Sequence, residues 1–205
     1  VGLYQHMRFD RYYISNIDAY GGDNYGVNRP IDIPGNMLIA SGNGTGNQWA
    51  HYTEAGAMLE QSSFWTQPFV GVQYMYLDQG GYSESGAGGL NLNVDHQTTN
   101  GLRGNVGMRL IWDYNWGAVR VVPSIAARYQ REFGDGTRIV TSSFSGAPSA
   151  PFSAAGNSTG RDFGVFSIGA KGYFSDHFSI YSSVDAQTAN RYGAVMGTGG
   201  IQYEW

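Results

Sequence analysis

Side chains able to do acid–base or nucleophilic chemistry are few and scattered in this chain. Histidine, the residue best suited to moving protons near neutral pH, occurs as His6, His51, His96 and His177. Asp95 and His96 are adjacent in a long polar segment and raise the question of an acid–base pair, but neighbouring side chains on extended backbone point to opposite sides. Asp176 and His177 sit in a short segment whose composition is that of a solvated turn. There is no cysteine, hence no thiolate nucleophile, thiolate metal site or disulfide framework. No His/Asp/Glu spacing suits a metal ion, and the glycine-rich stretches open loops rather than helices, which removes a phosphate cradle. These residues point away from catalysis, a metal or a cofactor. A different kind of site is suggested by charge at fixed parity: Glu54, Arg103, Arg109, Arg120, Arg128, Lys171, Asp185 and Glu204 occupy the polar register of alternating stretches.

The elements that must position these charges are strands. Apolar residues recur with period two almost throughout, and helical spacing over a dozen residues is absent. Strands are expected at 1–9, 12–22, 49–61, 68–79, 101–113, 118–133, 162–174, 178–188 and 191–205. Short turns at Asp10-Arg11, Ser62-Ser63, Asn115-Trp116-Gly117 and Ser175-Asp176-His177 alternate with long Gly/Ser/Asn/Pro-rich segments near 23–48, 80–100 and 134–161, read as loops. The last connection, near Thr188-Ala189-Asn190, is short. Short turns on one rim and long loops on the other are the plan of outer-membrane barrels.

Parity then assigns faces. Leu102, Val106, Met108 and Leu110 alternate with Arg103, Asn105 and Arg109; Val121, Ile125 and Tyr129 alternate with Arg120, Arg128 and Glu132. Ala55, Ala57 and Leu59 oppose Glu54 and Glu60; Phe166, Ile168 and Ala170 oppose Lys171; Val195, Ile201, Tyr203 and Trp205 oppose Gln202 and Glu204. A soluble sandwich also alternates, but it could not bury both signs of charge on one face without heavy cost. Aromatic residues gather at strand ends, among them Tyr12, Tyr13, Trp65, Trp112, Trp116, Phe174 and Tyr203, where a membrane barrel places its interfacial girdles.

Composition agrees. Only 14% of the 205 residues are charged, while there are 15 Tyr, 10 Phe, 5 Trp and 31 Gly, too aromatic for disorder and short of charge for a wholly watered surface. Lys171 is the single lysine among 12 basic residues, and arginine suits a held network of hydrogen bonds. The net charge of -4 and the lack of a basic stripe argue against a nucleic-acid partner. No run of 18 apolar residues is present, so a spanning helix is excluded and a membrane location requires a closed sheet. The chain opens Val1-Gly2-Leu3-Tyr4 without the features of a signal peptide.

In order and spacing the landmarks resemble one family, the autotransporter β-domain, the C-terminal translocator of type V secretion. The most specific stretch is Tyr129-Gln130-Arg131-Glu132-Phe133-Gly134-Asp135, followed by Ser143-Phe144-Ser145-Gly146-Ala147-Pro148 and Phe152. Supporting it are Val1-Gly2-Leu3-Tyr4 with Tyr20-Gly21 and Arg29, the Glu54-Ala55-Gly56 strand, Pro68 to Tyr74 leading to Ser83-Glu84-Ser85-Gly86-Ala87, and the ending Gly199 to Trp205. The resemblance implies that Ile201, Tyr203 and Trp205 form the C-terminal signal read by the barrel-assembly machinery. It also implies about twelve strands against the about nine counted here, so the expectation is a single domain over 1–205 that is N-terminally incomplete.

The fold class expected is therefore all-β, a transmembrane antiparallel up-and-down β-barrel of outer-membrane type, in the bacterial outer membrane with its C-terminus periplasmic. The resemblance implies a barrel that anchors a covalently linked upstream passenger domain and supports its translocation to the cell surface, with membrane lipid as its surroundings. It implies no enzyme, no cofactor and no metal, and the eight parity-matched charges become candidate lumen-lining residues. The alternatives are a porin-like or structural barrel without a passenger, or an outer-membrane barrel enzyme with its site at the extracellular rim. The face assignment makes a direct prediction: arginine in place of Val106 or Ile125 costs about 2–4 kcal/mol of folding stability in bilayers, measured by denaturant titration in vesicles. Unaltered insertion and stability of both variants would refute the assigned faces.

Overall fold

The structure is a computed structural model describing residues 1–134, 139–156, 160–190 and 192–204. Its larger sheet begins with β1 (Gly2–Phe9), β2 (Tyr12–Ile33), β3 (Asn36–Ala57), the two-residue β4 (Leu59–Glu60) and β5 (Trp65–Gln79). After β6 (Tyr82–Ser83) and β7 (Leu92–Val94) come β8 (Gln97–Ile111), β9 (Tyr114–Trp116) and β10 (Val119–Glu132). The chain continues through β11 (Ile139–Phe144) and β12 (Ala147–Ala155) and ends with β13 (Asp162–Tyr173), β14 (Phe178–Ala189) and β15 (Tyr192–Tyr203). The path through the large sheet is β1-β2-β3-β5-β8-β10-β13-β14-β15, nine strands, every neighbour antiparallel. Strand follows strand in chain order, as in an up-and-down meander. Among the described residues β1 and β15 are not paired with each other.

Local chemistry sets the turns. Asp10 takes a φ of 54° in the β1–β2 turn, a conformation that short polar side chains tolerate. Gly117 (φ 63°) closes the β9–β10 hairpin. Opposite the gap between β8 and β9 stands Pro123, whose carbonyl accepts the Trp112 N–H at 3.0 Å but which has no N–H to return. The expected single strand over 101–113 therefore stops at Ile111. Likewise 49–61 stops at Ala57, and the Met58 N–H turns to the Arg11 carbonyl at 2.7 Å.

The sheet is curled, and side-chain reach shows which face is concave. Strands two apart in a flat sheet lie about 9–10 Å apart, yet Arg109 of β8 reaches Glu54 of β3 at 3.7 Å across β5. Arg103 of β8 lies 5.5 Å from the Phe163 ring of β13 across β10. The concave face is polar and occluded, with Glu54 at 7%, Asn105 at 8% and Gln130 at 6% exposure, while the convex face leaves Val70 at 56%, Val106 at 53% and Ile201 at 73%. That inversion of a water-soluble protein's burial is the arrangement of a sheet whose convex side meets hydrocarbon.

The three expected loops are not structureless. Residues 23–48 continue β2 and β3 as a paired ribbon as far as the turn at Pro34-Gly35, where Gly35 has φ 85°. Glycines 42, 44 and 46 are buried at every second position, and a side chain at Gly42 would meet the Tyr82 ring at 2.8 Å, while at Gly44 it would meet the Tyr25 ring. Gly42 and Gly44 serve as floor for tyrosines and Gly46 admits the Asp78 carbonyl, a period-two pattern written in absent side chains. Parts of 80–100 and 134–161 form a second sheet of order β12-β11-β7-β6. It is tied to the β2–β3 ribbon by Arg29, which donates to both Glu84 carboxylate oxygens (3.2 and 2.6 Å) and to the Leu90 carbonyl (2.8 Å). Glu84 also accepts the Leu92 N–H at 2.8 Å.

The Arg29 hydrogen bonds hold the Glu84 carboxyl below the usual carboxylate range, against the opposing effect of its burial. A depressed native pKa means the tie contributes fully above the ordinary glutamate range and is lost as pH falls through the lowered value. Acidification should therefore raise protease cleavage within 80–94 ahead of the barrel strands, and Glu84→Gln should be cleaved readily already at neutral pH. Equal protection of wild type and Glu84→Gln at all pH values would contradict the tie.

Candidate functional site

The concave face of the large sheet carries a hydrogen-bonded polar cluster centred on Glu54. β2 and β3 put Tyr13 and Glu54 on this face by parity, and the Tyr13 hydroxyl donates to Glu54 Oε1 at 2.6 Å. Tyr52, two residues before Glu54 on the same strand face, donates to Oε2 at 2.7 Å. Arg109 completes the charge, donating to Gln67 Oε1 and lying over the Phe69 ring at 5.0 Å. The Tyr13 ring fits because residue 56 is glycine: a Cβ there would stand 2.6 Å from that ring and from the Pro68 carbonyl oxygen. Phe69 lies over Gly107 in the same way, at 2.8 Å.

A second knot lies toward the long-connection rim. Glu132 accepts from Arg103 Nε at 2.6 Å, from the Leu102 N–H at 3.0 Å and from the Gly134 N–H at 3.0 Å, so one carboxylate ties the end of β10 to the first half of β8. Beside it a concavity of about 610 Å³ is lined by Gln73, Asn100, Arg103, Glu132, Phe163 and Gln187 among others. Arg128 Nε is buried without a hydrogen-bond partner among the described residues.

The eight charges singled out by parity are thus distributed rather than gathered. Glu54 and Arg109 meet in the first cluster, and Arg103 anchors the second. Lys171 donates to Gln202 at 2.8 Å and lies 4.7 Å from the Tyr173 ring, Gln202 donates to Glu204 at 2.8 Å, and Asp185 accepts from Ser167. Arg120 stands apart at the short-turn rim, half exposed and bidentate on Asp113. Ile201 and Tyr203 share the exposed convex face of β15; Trp205 and Asp135 lie outside the described residues.

Several participants were not apparent from the sequence. Tyr13, expected in the girdle, is 3% exposed and turned inward; its odd parity opposite Tyr12 and Ile14 was the available signal. Phe163 and Val165 are buried on the concave side although the stretch reads apolar on the other parity. Glu60, expected opposite Ala55 and Ala57 with Glu54, is exposed on β4 beyond the break at Met58. On the convex face, His51 pairs with Asp18 at 2.8 Å and with Thr53 at 2.8 Å, and Thr53 donates to Asn16 at 2.8 Å, a polar chain that satisfies itself beneath Trp49. The question raised by Asp95-His96 is resolved differently, since His96 pairs with Asp78 at 3.0 Å. No group of three or more metal-binding side chains occurs among the described residues.

An inside-polar, outside-apolar antiparallel meander of nine strands defines a transmembrane β-barrel sheet of outer-membrane type. The family model described as the autotransporter β-domain matches residues 1–185, and the chain belongs to that family. In fold it is similar to the translocator domain of the autotransporter NalP from Neisseria meningitidis, with a TM-score of 0.75 and 18% identity. That likeness covers all of this chain and 63% of the other, so the chain spans less than two thirds of that domain's length. The β-domain of the Bordetella autotransporter BrkA aligns over all of this chain and 96% of its own, but at a TM-score of 0.34 and 10% identity. Among curated proteins nothing matches significantly.

The geometry makes Glu54 the keystone of its cluster. Glu54→Ala should destabilise the folded barrel by about 3 kcal/mol, because it strands Arg109 and two tyrosine hydroxyls, read by urea unfolding in vesicles. The double variant Glu54→Ala/Arg109→Ala should lose less than the sum of the two single losses. Additive losses would show that the two side chains do not interact.

Proposed function

We propose that this sheet is the greater part of an outer-membrane translocator barrel that anchors a covalently linked upstream passenger domain and supports its passage to the cell surface. The observation that carries the reading is the concave face: polar, internally braced, and yet holding the about 610 Å³ concavity with room for an extended segment. Family membership supports the same reading. Nine antiparallel strands leave β1 and β15 running in the same direction, and an up-and-down antiparallel sheet closes with an even number. The barrel of this proposal therefore closes with strands beyond these nine, and residues 1–205 supply a portion of it.

The orientation follows from the turns. The short turns at Asp10-Arg11, Gly117 and Ser175–His177 form the periplasmic rim, which puts the C-terminus in the periplasm and the second sheet outside the cell. Ile201, Tyr203 and Trp205 are the segment read by the barrel-assembly machinery, and the exposure of Ile201 and Tyr203 on an edge strand suits them to be read. The barrel does no bond chemistry. Its lumen residues act by staying hydrated and by holding the wall open: Glu54, Arg103, Arg109, Arg128, Lys171, Asp185 and Glu204 brace the wall, and Arg120 guards the periplasmic rim.

Replacing Arg109 and Arg128 together by alanine in the full-length protein should lower passenger display at the cell surface severalfold while leaving heat-modifiable barrel in the outer membrane. Surface labelling of the passenger and gel mobility of the barrel read the two separately. Unchanged display with normal insertion would count against a lumen role for both residues.

A further inference from the structure

The convex face is not uniformly smooth. Between β2, β3, β5 and β8 it carries an apolar groove of about 540 Å³ walled by Tyr12, Ile14, Val70 and Val106 and floored by Ala55 and Ala57. The registers Tyr12↔Ala57, Ile14↔Ala55, Ala55↔Val70 and Val70↔Val106 put all six on the outward side. The groove exists because alanine stands at two successive outward positions of β3 while its neighbours carry larger side chains. Upward it ends at Asn16 and Thr53, whose hydrogen bond closes the apolar strip with a polar step. Downward it opens at the Asp10-Arg11 turn. There the exposed Arg11 guanidinium lies 5.3 Å from the centre of the Tyr12 ring, a position fixed by the ring face.

An apolar slot of limited length, a cation at its mouth and an aromatic ring holding that cation at rim level are complementary to an anionic glycerophospholipid. The slot takes an acyl chain, and the planar guanidinium takes a phosphate in the bidentate geometry it favours. Arg8, Asp10 and Glu60 belong to the same rim; Arg8 shares the concave-side register of Tyr13 and donates to the Asp10 carbonyl at 2.9 Å, so attraction to phosphate on the convex side rests on Arg11 itself and not on a general basic patch. We propose that this groove is a binding site for one phospholipid of the leaflet at the short-turn rim, its phosphate on Arg11 and one acyl chain between Tyr12 and Val70. The site rests on the outer-membrane barrel reading, because only that reading puts hydrocarbon against the convex face.

The test is native mass spectrometry of the full-length barrel released from detergent micelles containing either dioleoyl phosphatidylglycerol or dioleoyl phosphatidylcholine. One phosphatidylglycerol should stay bound under activation that strips phosphatidylcholine. Arg11→Ala should cut that occupancy about tenfold, equivalent to about 1.4 kcal/mol, while Ala55→Leu, which fills the floor, should reduce retention of both lipids. A barrel with heat-modifiable mobility that keeps the two lipids equally, or an Arg11→Ala variant that holds phosphatidylglycerol as well as wild type, overturns the site and leaves the barrel reading intact. Failure of the wild-type protein to insert into vesicles of either lipid overturns the barrel reading, and the site with it.

Discussion

Backbone hydrogen bonding between sequential antiparallel strands is the interaction on which the rest of the molecule depends. In hydrocarbon an unpaired N–H or C=O costs several kcal/mol, so a spanning chain without helices has to pair every strand with its neighbours. In the nine-strand sheet the registers run without interruption through the central portion of each strand. Once register is fixed, parity is fixed, and a slip of one residue would turn Val106 inward and Asn105 into lipid. The convex face can then be apolar with no further specification, and the discrimination moves to the concave face.

On that face polar groups have to be satisfied by one another wherever the wall excludes water. Glu54 does this with two tyrosine hydroxyls and Arg109, and Glu132 with one arginine and two backbone N–H groups. The tyrosine at 13 can reach its carboxylate because glycine at 56 leaves room for the ring. The same exchange of a missing side chain for an aromatic neighbour recurs where Tyr181 covers Gly200, and above the membrane where Tyr25 covers Gly44. Glycine is costly in a strand on its own; under a ring it becomes the close approach that lets a strongly curved sheet stay filled.

The spanning strands were legible in the sequence because each has one face in lipid, and their alternation is therefore strong. The placement of Glu54, Arg103 and Arg109 on the concave face was legible by parity for the same reason. The beginnings of the long connections were not, since the extension of β2 and β3 over 23–46 meets water and neighbouring loops, and its inward residues are glycines 42, 44 and 46 rather than apolar side chains. A hydropathy pattern cannot register a face made of nothing. Nor could parity tell which charges would meet: Arg109 and Glu54 are separated by β5 and come together only through curvature, a property of the whole sheet that no local stretch encodes. Arg120, with identical parity, stays at the rim beside Asp113.

The inside-out distribution of the two faces can be read directly because the chain contains no cysteine. Single cysteines introduced at adjacent positions of opposite parity, Gln73 and Val72 on β5 and Ser183 and Val184 on β14, would be probed with a membrane-impermeant, water-soluble maleimide in the full-length protein folded in vesicles. Positions 73 and 183 should label through the hydrated lumen, while 72 and 184 should be protected by lipid and label only after the bilayer is dissolved. Labelling of 72 and 184 in intact vesicles, with 73 and 183 protected, would contradict a sheet whose polar face is its lumen.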